Sequence, residues 1–167
     1  MSANAETADA REIDARRFAE AAHADQRYGE APYVTHLSAV RAVLGDFGHG
    51  GPLAVAAWLH DVVEDTAVTR DEVEARFGAE VAALVWAVTG VGATRKERNA
   101  SAYEKIRAHP PAAVLKLADR IANVEASRTV PEKLEKYRAE WGAFHAHLGQ
   151  LGEARMWARL KVALGEF

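Results

Sequence analysis

One stretch of the chain runs from an apolar segment into four ionisable side chains within six residues: Ala54-Val55-Ala56-Ala57-Trp58-Leu59-His60-Asp61-Val62-Val63-Glu64-Asp65. A segment this apolar belongs in a core, and carboxylates beside it are costly unless paired, hydrogen-bonded or bound to a metal. Read as one helix, the spacing places His60 one turn from Glu64 and Asp61 one turn from Asp65. At roughly 100° per residue the four share a sector, while Val55, Trp58, Leu59, Val62 and Val63 cover the rest. A fold that buries this helix must give its polar end partners, and that requirement marks a site.

The remainder also reads as helix. Thr7 to Gln26 is alanine-rich, with Ile13, Phe18, Ala21 and Ala22 at helical spacing. Residues 27–32 read as a loop, and Pro32 suits the first turn of a helix running to about Phe47. Pro52 opens the His-Asp helix after the breaker Gly48-His49-Gly50-Gly51. Thr69-Arg70-Asp71-Glu72 has the form of a capping box for a short helix ending near Phe77-Gly78, and Ala79 to Val88 follows. Gly90 to about Asn99 reads as a basic loop. Further helices are expected over Ser101–Ala108, Ala112–Ala126, Pro131–Leu148 and Glu153–Leu164. No alternating β pattern competes, so the expectation is one all-α domain over residues 1–167.

Composition narrows the function classes. There are no cysteines, which excludes disulfides, thiolate metal sites and a cysteine nucleophile. A net charge of −3 gives no global attraction for nucleic acid or anionic membranes, so an anionic ligand must meet a local basic cluster. No stretch approaches the roughly 18 apolar residues of a membrane span, and Met1–Asp14 lacks the apolar run of a signal peptide. A cytoplasmic location is the expectation.

Two further segments join the His-Asp pair. In Val114 to Val124, the residues Lys116, Asp119, Arg120 and Asn123 fall in one helical sector, opposite Val114, Leu117, Ala118, Ile121 and Val124. Alone, this is an amphipathic helix with a solvated face. His36, in Pro32-Tyr33-Val34-Thr35-His36-Leu37, is alone an ordinary structural histidine. Together, His36, His60, Asp61 and Asp119 would supply two imidazoles and two carboxylates from three helices, a set suited to Mn²⁺, Fe²⁺ or Zn²⁺. A water bound to such a cation becomes a nucleophile near neutral pH, and Glu64 and Asp65 are close enough in sequence to orient it or move its proton.

Four stretches resemble the HD superfamily of metal-dependent phosphohydrolases, and within it the hydrolase domain of Rel/SpoT-type alarmone enzymes and the stand-alone small alarmone hydrolases. They are Phe18 to Arg27, Gly29 to His36, the His-Asp-x-x-Glu-Asp-Thr run His60 to Thr66, and Leu115 to Asn123 with its Lys-Leu-Ala-Asp-Arg-x-x-Asn form. Order and spacing agree from Phe18 to Val124, with the helices of 131–165 packed on that part. The resemblance implies one Mn²⁺ on His36, His60, Asp61 and Asp119, with Glu64 and Asp65 acting on the attacking water. It places Arg27 against the nucleotide base and Asn123 near the ribose. The implied reaction is hydrolysis of the 3′-pyrophosphate of ppGpp or pppGpp, giving GDP or GTP and pyrophosphate. With the chain ending at Phe167, no synthetase domain is expected, which favours the stand-alone class.

Departures from the family pattern cluster around the nucleoside. Tyr28 and Gly29 follow Arg27 where Lys or Ser is common, Ala122 replaces an aromatic or His, and Ala126 replaces a Thr; Leu37 stands for the usual Pro. These keep open another phosphorylated nucleotide such as NADPH, or a nucleotide-binding regulator without turnover. Among the run Thr94-Arg95-Lys96-Glu97-Arg98, Lys96 and Arg98 are the expected phosphate contacts. Lys116 suits either substrate or an ion pair with Asp119. His23 is expected to support the pocket rather than touch metal, and His145 and His147 to be surface or packing residues. Tyr137 and Trp141, at helical spacing, suit docking of their helix or a homodimer contact.

Overall fold

The computed structural model describes residues 3–165. The apolar stretch forms α3 (Pro52–Leu59), in which every residue from Ala54 to Leu59 is buried. A helix that is apolar on all sides belongs at the centre of a bundle. Around it pack α1 (Ala3–Ala22), α2 (Val34–Asp46), α6 (Ala79–Val88) and α8 (Ala112–Ala126). Between α3 and α6 come α4 (Val62–Asp65) and α5 (Arg70–Phe77); α7 (Arg95–Ala108) lies between α6 and α8. The chain continues into α9 (Pro131–Leu148) and α10 (Ala154–Leu164), and α10 packs along α8. Among the described residues the architecture is all-α apart from one hairpin with two-residue strands. Among the described residues no helix is long and apolar enough to cross a membrane.

Three local features differ from the sequence reading, each for a physical reason. The His-Asp helix is not continuous. α3 ends at Leu59, and Asp61, at φ −106° and ψ −2°, sits in the sparsely populated bridge region before α4 resumes for a single turn. The break lets the Asp61 carboxylate turn toward His60 and Tyr33, as its contacts below show. Thr66 then closes α4, its hydroxyl donating to the Val62 carbonyl (2.6 Å) and accepting from the Val68 N–H (3.1 Å).

Residues 27–32, read as loop, form an antiparallel hairpin of β1 (Arg27–Tyr28) and β2 (Ala31–Pro32), with Tyr28 opposite Ala31. Its two-residue turn starts at Gly29 with φ +62°, the position where such turns need a positive φ. The basic segment before Asn99 is also not a loop throughout. Thr94 caps α7, and Glu97 returns the bond, its carboxylate accepting the Thr94 N–H (2.9 Å) while the Thr94 hydroxyl accepts the Glu97 N–H (3.2 Å). The same box at Thr69 and Glu72 starts α5 as expected.

Two faces of α8 define the rest. Leu115, Leu117, Ala118, Ile121 and Val124 are fully buried in the core. The opposite face is not solvated: Asp119 and Arg120 are buried too, and with Lys116 and Asn123 they line a cavity.

Candidate metal centre and its cavity

His60 follows the last residue of α3, and its Nδ1 lies 2.8 Å from the Ala57 carbonyl oxygen. A carbonyl can only accept, so Nδ1 carries the proton and Nε2 presents a lone pair. That Nε2 is buried and, among the described residues, has no hydrogen-bond partner. It nevertheless lies 3.0 Å from Asp61 Oδ2 and 3.5 Å from Asp119 Oδ1. His36, from α2, brings its Nε2 to 3.1 Å from Asp119 Oδ1 and 3.7 Å from Asp61 Oδ2. Ligands bound at about 2.1 Å to one cation stand roughly 3.0–3.4 Å from their neighbours in octahedral or tetrahedral sites. The spacing of these four side chains fits a shared cation better than it fits aligned hydrogen bonds. His36, His60 and Asp119 each offer an atom within 4.8 Å of the others'.

Neighbouring groups hold the set in place. The Tyr33 hydroxyl donates to Asp61 Oδ2 at 2.6 Å. Lys116 Nζ donates to Asp119 Oδ2 (3.0 Å), and the Asn123 amide donates to Asp119 Oδ1 (2.8 Å). The Tyr28 ring stacks on His36 with centroids 4.9 Å apart, and its hydroxyl donates to Asn123 Oδ1 at 2.9 Å. Such outer contacts orient ligands and fix tautomers.

Electrostatics calls for positive charge at the centre. Burial opposes an imidazolium at His60, yet Asp61 and Asp119 outweigh it and carry its pKa well above the ordinary histidine value. Burial likewise raises Asp61 and Asp119, but His60 beside the first and Lys116 beside the second hold both below the usual carboxylate range. A divalent cation among two neutral imidazoles and two carboxylates meets the same demand.

Beside the four lies a cavity of about 200 Å³ lined by both acidic and basic side chains. Asp61, Glu64 and Asp65 line it, as do Arg95 and Arg98 of α7 and Lys116, Asp119 and Arg120 of α8. Glu140 of α9 fixes two of these cations, accepting from Arg95 (2.5 and 3.1 Å) and from Arg120 (2.7 Å). Lys116 is pulled down by burial but raised on balance by Asp119, so it stays charged. Glu64 accepts the Gly90 N–H, and Asp65 accepts from Gln26 at 2.9 Å. Both carboxyls lie above their ordinary values, first because of crowding by protein and then because of the Asp61 charge.

Of the residues expected from sequence, the structure brings His36, Asp61, Glu64, Asp65, Arg98, Asp119 and Asn123 to this cavity, with His60 directly behind it. Arg27 is exposed on β1 and Lys96 is exposed on α7, and neither lines it. Arg95, Arg120, Tyr33 and Tyr137 line the cavity without having been singled out for it. Lys116 pairs with Asp119, as one of its two readings expected, and also lines the cavity.

The HD domain family profile matches residues 15–151. The chain belongs to the HD-domain family. It is 37% identical over 129 residues to the guanosine-3′,5′-bis(diphosphate) 3′-pyrophosphohydrolase of Aquifex aeolicus, covering 73% of this chain and 18% of that protein. A relative from Synechocystis, named probable guanosine-3′,5′-bis(diphosphate) 3′-pyrophosphohydrolase, is again spanned over 18% of its length. The chain thus spans about a fifth of these long relatives. Human MESH1, also named guanosine-3′,5′-bis(diphosphate) 3′-pyrophosphohydrolase, is 36% identical over 143 residues, 78% of this chain and 80% of MESH1. A solved structure of a metazoan SpoT ortholog that hydrolyses ppGpp aligns with a TM-score of 0.81 and 27% identity, over 92% of this chain and 93% of the other. Membership of the HD family implies a divalent metal, and the donor set described above fits one.

Proposed function

We propose that this protein hydrolyses the 3′-pyrophosphate of guanosine 3′,5′-bis(diphosphate), with one Mn²⁺ held by His36, His60, Asp61 and Asp119. The observation that carries this reading is the convergence of those four side chains beside a cavity lined by further carboxylates and four cations. Similarity to MESH1 across most of both chains supports the substrate. Fe²⁺ and Zn²⁺ share these ligand types. When bound, the cation lowers the pKa of a water and offsets charge on phosphoryl oxygen.

The chain's own residues account for the remaining steps. Lys116, Arg95 and Arg98 attract and orient the diphosphate, and Glu140 holds Arg95 in place before substrate arrives. Glu64 and Asp65, which line the cavity, accept the proton of the attacking water. The water oxygen bonds to phosphorus as the bond from phosphorus to the ribose 3′ oxygen breaks; the proton held by the carboxylate is returned through solvent to that 3′ oxygen, giving GDP and pyrophosphate. Asn123, bonded to Tyr28 and Asp119, is assigned to the ribose hydroxyl.

A second reading, hydrolysis of another phosphorylated nucleotide, is favoured by one observation: the Tyr28 hydroxyl already occupies the Asn123 carbonyl. The test is pyrophosphate release from ppGpp by protein carrying one Mn²⁺ per chain, beside NADPH and ordinary nucleotides. Pyrophosphate from ppGpp is expected. Metal-loaded protein that leaves ppGpp intact would overturn the substrate, and turnover of another nucleotide alone would establish the second reading.

A further inference from the structure

His23, just after α1, is a buried imidazole that does not line the cavity beside the candidate metal ligands. Its Nδ1 lies 2.7 Å from Gln26 Oε1, and Gln26 Nε2 donates to Asp65 Oδ2 at 2.9 Å. A carboxylate can only accept, so the amide nitrogen of Gln26 must face Asp65 and its oxygen must face His23. The imidazole therefore donates from Nδ1. Its other nitrogen, Nε2, is then left buried with no hydrogen-bond partner among the described residues. An orphaned buried nitrogen is costly, and its retention is explained if the ring's purpose is to aim Nδ1–H at Gln26.

The backbone around the pair is equally constrained. The Gln26 N–H donates to the His23 carbonyl (2.9 Å), and the Tyr33 N–H donates to the Gln26 carbonyl (3.2 Å). The His23 ring also packs on Tyr33 with centroids 4.7 Å apart, and Tyr33 donates to Asp61. We infer that His23 and Gln26 are positioning residues for Asp65: His23 fixes the sense of the Gln26 amide, and Gln26 engages one carboxylate oxygen so that the other accepts from the attacking water. This rests on the role proposed for Asp65, and it adds a chain of command reaching back to α1 that touches neither metal nor substrate.

Three variants separate donation from packing. Gln26→Leu removes the amide; His23→Phe keeps a ring against Tyr33 but removes the donor; His23→Asn loses the ring but places an amide nitrogen near the Nδ1 position. Expected are a fall in kcat of about ten-fold for Gln26→Leu and His23→Phe, with KM and bound Mn²⁺ unchanged, as for a modest misplacement of a catalytic group. His23→Asn should stay within about three-fold of the parent even where its Tm is lower. A His23→Phe protein more active than His23→Asn would overturn the inference, because packing and not donation would then be what matters. A second measurement needs no turnover: long-range ¹⁵N–¹H spectra of the imidazoles should show His23 protonated on Nδ1 in the parent protein. An Nε2–H tautomer in active protein rejects the relay alone. The Nδ1–H tautomer in metal-loaded protein that leaves ppGpp intact rejects the proposed substrate and upholds the relay geometry.

Discussion

Gly90 offers a way to move Glu64 without changing it. The residue stands where the chain leaves α6 and passes under the first turn of α7, and its N–H donates to Glu64 Oε1. A Cβ at this position would lie 2.6 Å from Arg98 Cβ, 3.0 Å from the Arg98 carbonyl oxygen and 2.8 Å from Glu64 Oε1. Ordinary contacts begin near 3.4 Å, so each neighbour must yield by several tenths of an ångström. The Arg98 atoms belong to a helix that its cap and Glu140 hold in place, whereas Glu64 is the free end of a flexible side chain. Moving Glu64 relieves only its own contact; the 2.6 Å approach to Arg98 Cβ also requires the Gly90 backbone to shift, and the N–H that Glu64 accepts shifts with it. Overpacking of this kind costs about 1–3 kcal/mol, which for a chain of this size lowers Tm by roughly 2–10 °C. Displacing a proton-transfer group by about 1 Å costs up to about 10²-fold. Gly90→Ala should thus lower kcat for pyrophosphate release by roughly 10- to 100-fold. Bound Mn²⁺, measured by elemental analysis after gel filtration, should stay at one per chain, because no ligand is touched. A variant with the lower Tm but kcat within two-fold of the parent would refute the placement of Glu64 in the chemistry.

Other consequences are simpler to state. Asp119→Ala should remove metal and activity together, while Glu64→Gln should keep its metal and lose about 10²-fold in kcat; equal metal loss in both would show Glu64 to be a ligand. Ile121, fully buried on the core face of α8, should cost about 2–5 kcal/mol when cut to Ala, read as a fall in Tm, with metal content unchanged. Glu12 joins α1 to α2 and α3, accepting from Arg41 (2.5 Å) and from the Trp58 indole (3.1 Å). Burial raises its pKa, but those two partners outweigh burial and hold it below the usual glutamate value. A depressed carboxyl stabilises the fold above its unfolded pKa and loses that contribution as pH falls through the folded one. The Tm difference between the parent and Glu12→Gln, worth about 1 kcal/mol at pH 7, should therefore shrink below about pH 4. A difference constant from pH 7 to pH 3 would refute the assignment.

The candidate ligands were legible in the sequence because a short run cannot be both core and charged without a reason. His60 and Asp61 abut six apolar residues, and Asp119 shares a turn with Lys116 on a helix whose other face is wholly aliphatic. Helix limits were legible where proline or a threonine-glutamate pair punctuates the chain, as at Pro131 and Thr69. The break at Asp61 was not. Nothing local in Leu59-His60-Asp61-Val62 disfavours a helix, and the φ of −106° accompanies a hydrogen bond from Tyr33, a partner 28 residues away that only tertiary structure supplies. Tyr28 is a similar case: its acceptor, Asn123, is 95 residues away.

The basic run that opens α7 shows how one misread element misdirects a site. The signal was present, since Thr94 and Glu97 repeat the spacing of Thr69 and Glu72. Read as loop, residues 94–98 have no faces, and any cation among them is an equal candidate. Read as helix, they sort themselves by period. Arg95, Arg98, Asn99 and Ala102, at i, i+3, i+4 and i+7, line the cavity beside the candidate metal ligands. Lys96, Ala100 and Tyr103, on the adjoining stripe, turn toward α9 and line a separate groove. Arg95, at the edge of both stripes, is the cation that Glu140 captures together with Arg120. The capping box thus does more than start a helix. By setting the phase of α7, it decides which cations of a basic run line the cavity, and an alanine inserted between Thr94 and Arg98 should abolish that order while leaving the net charge of the segment unchanged.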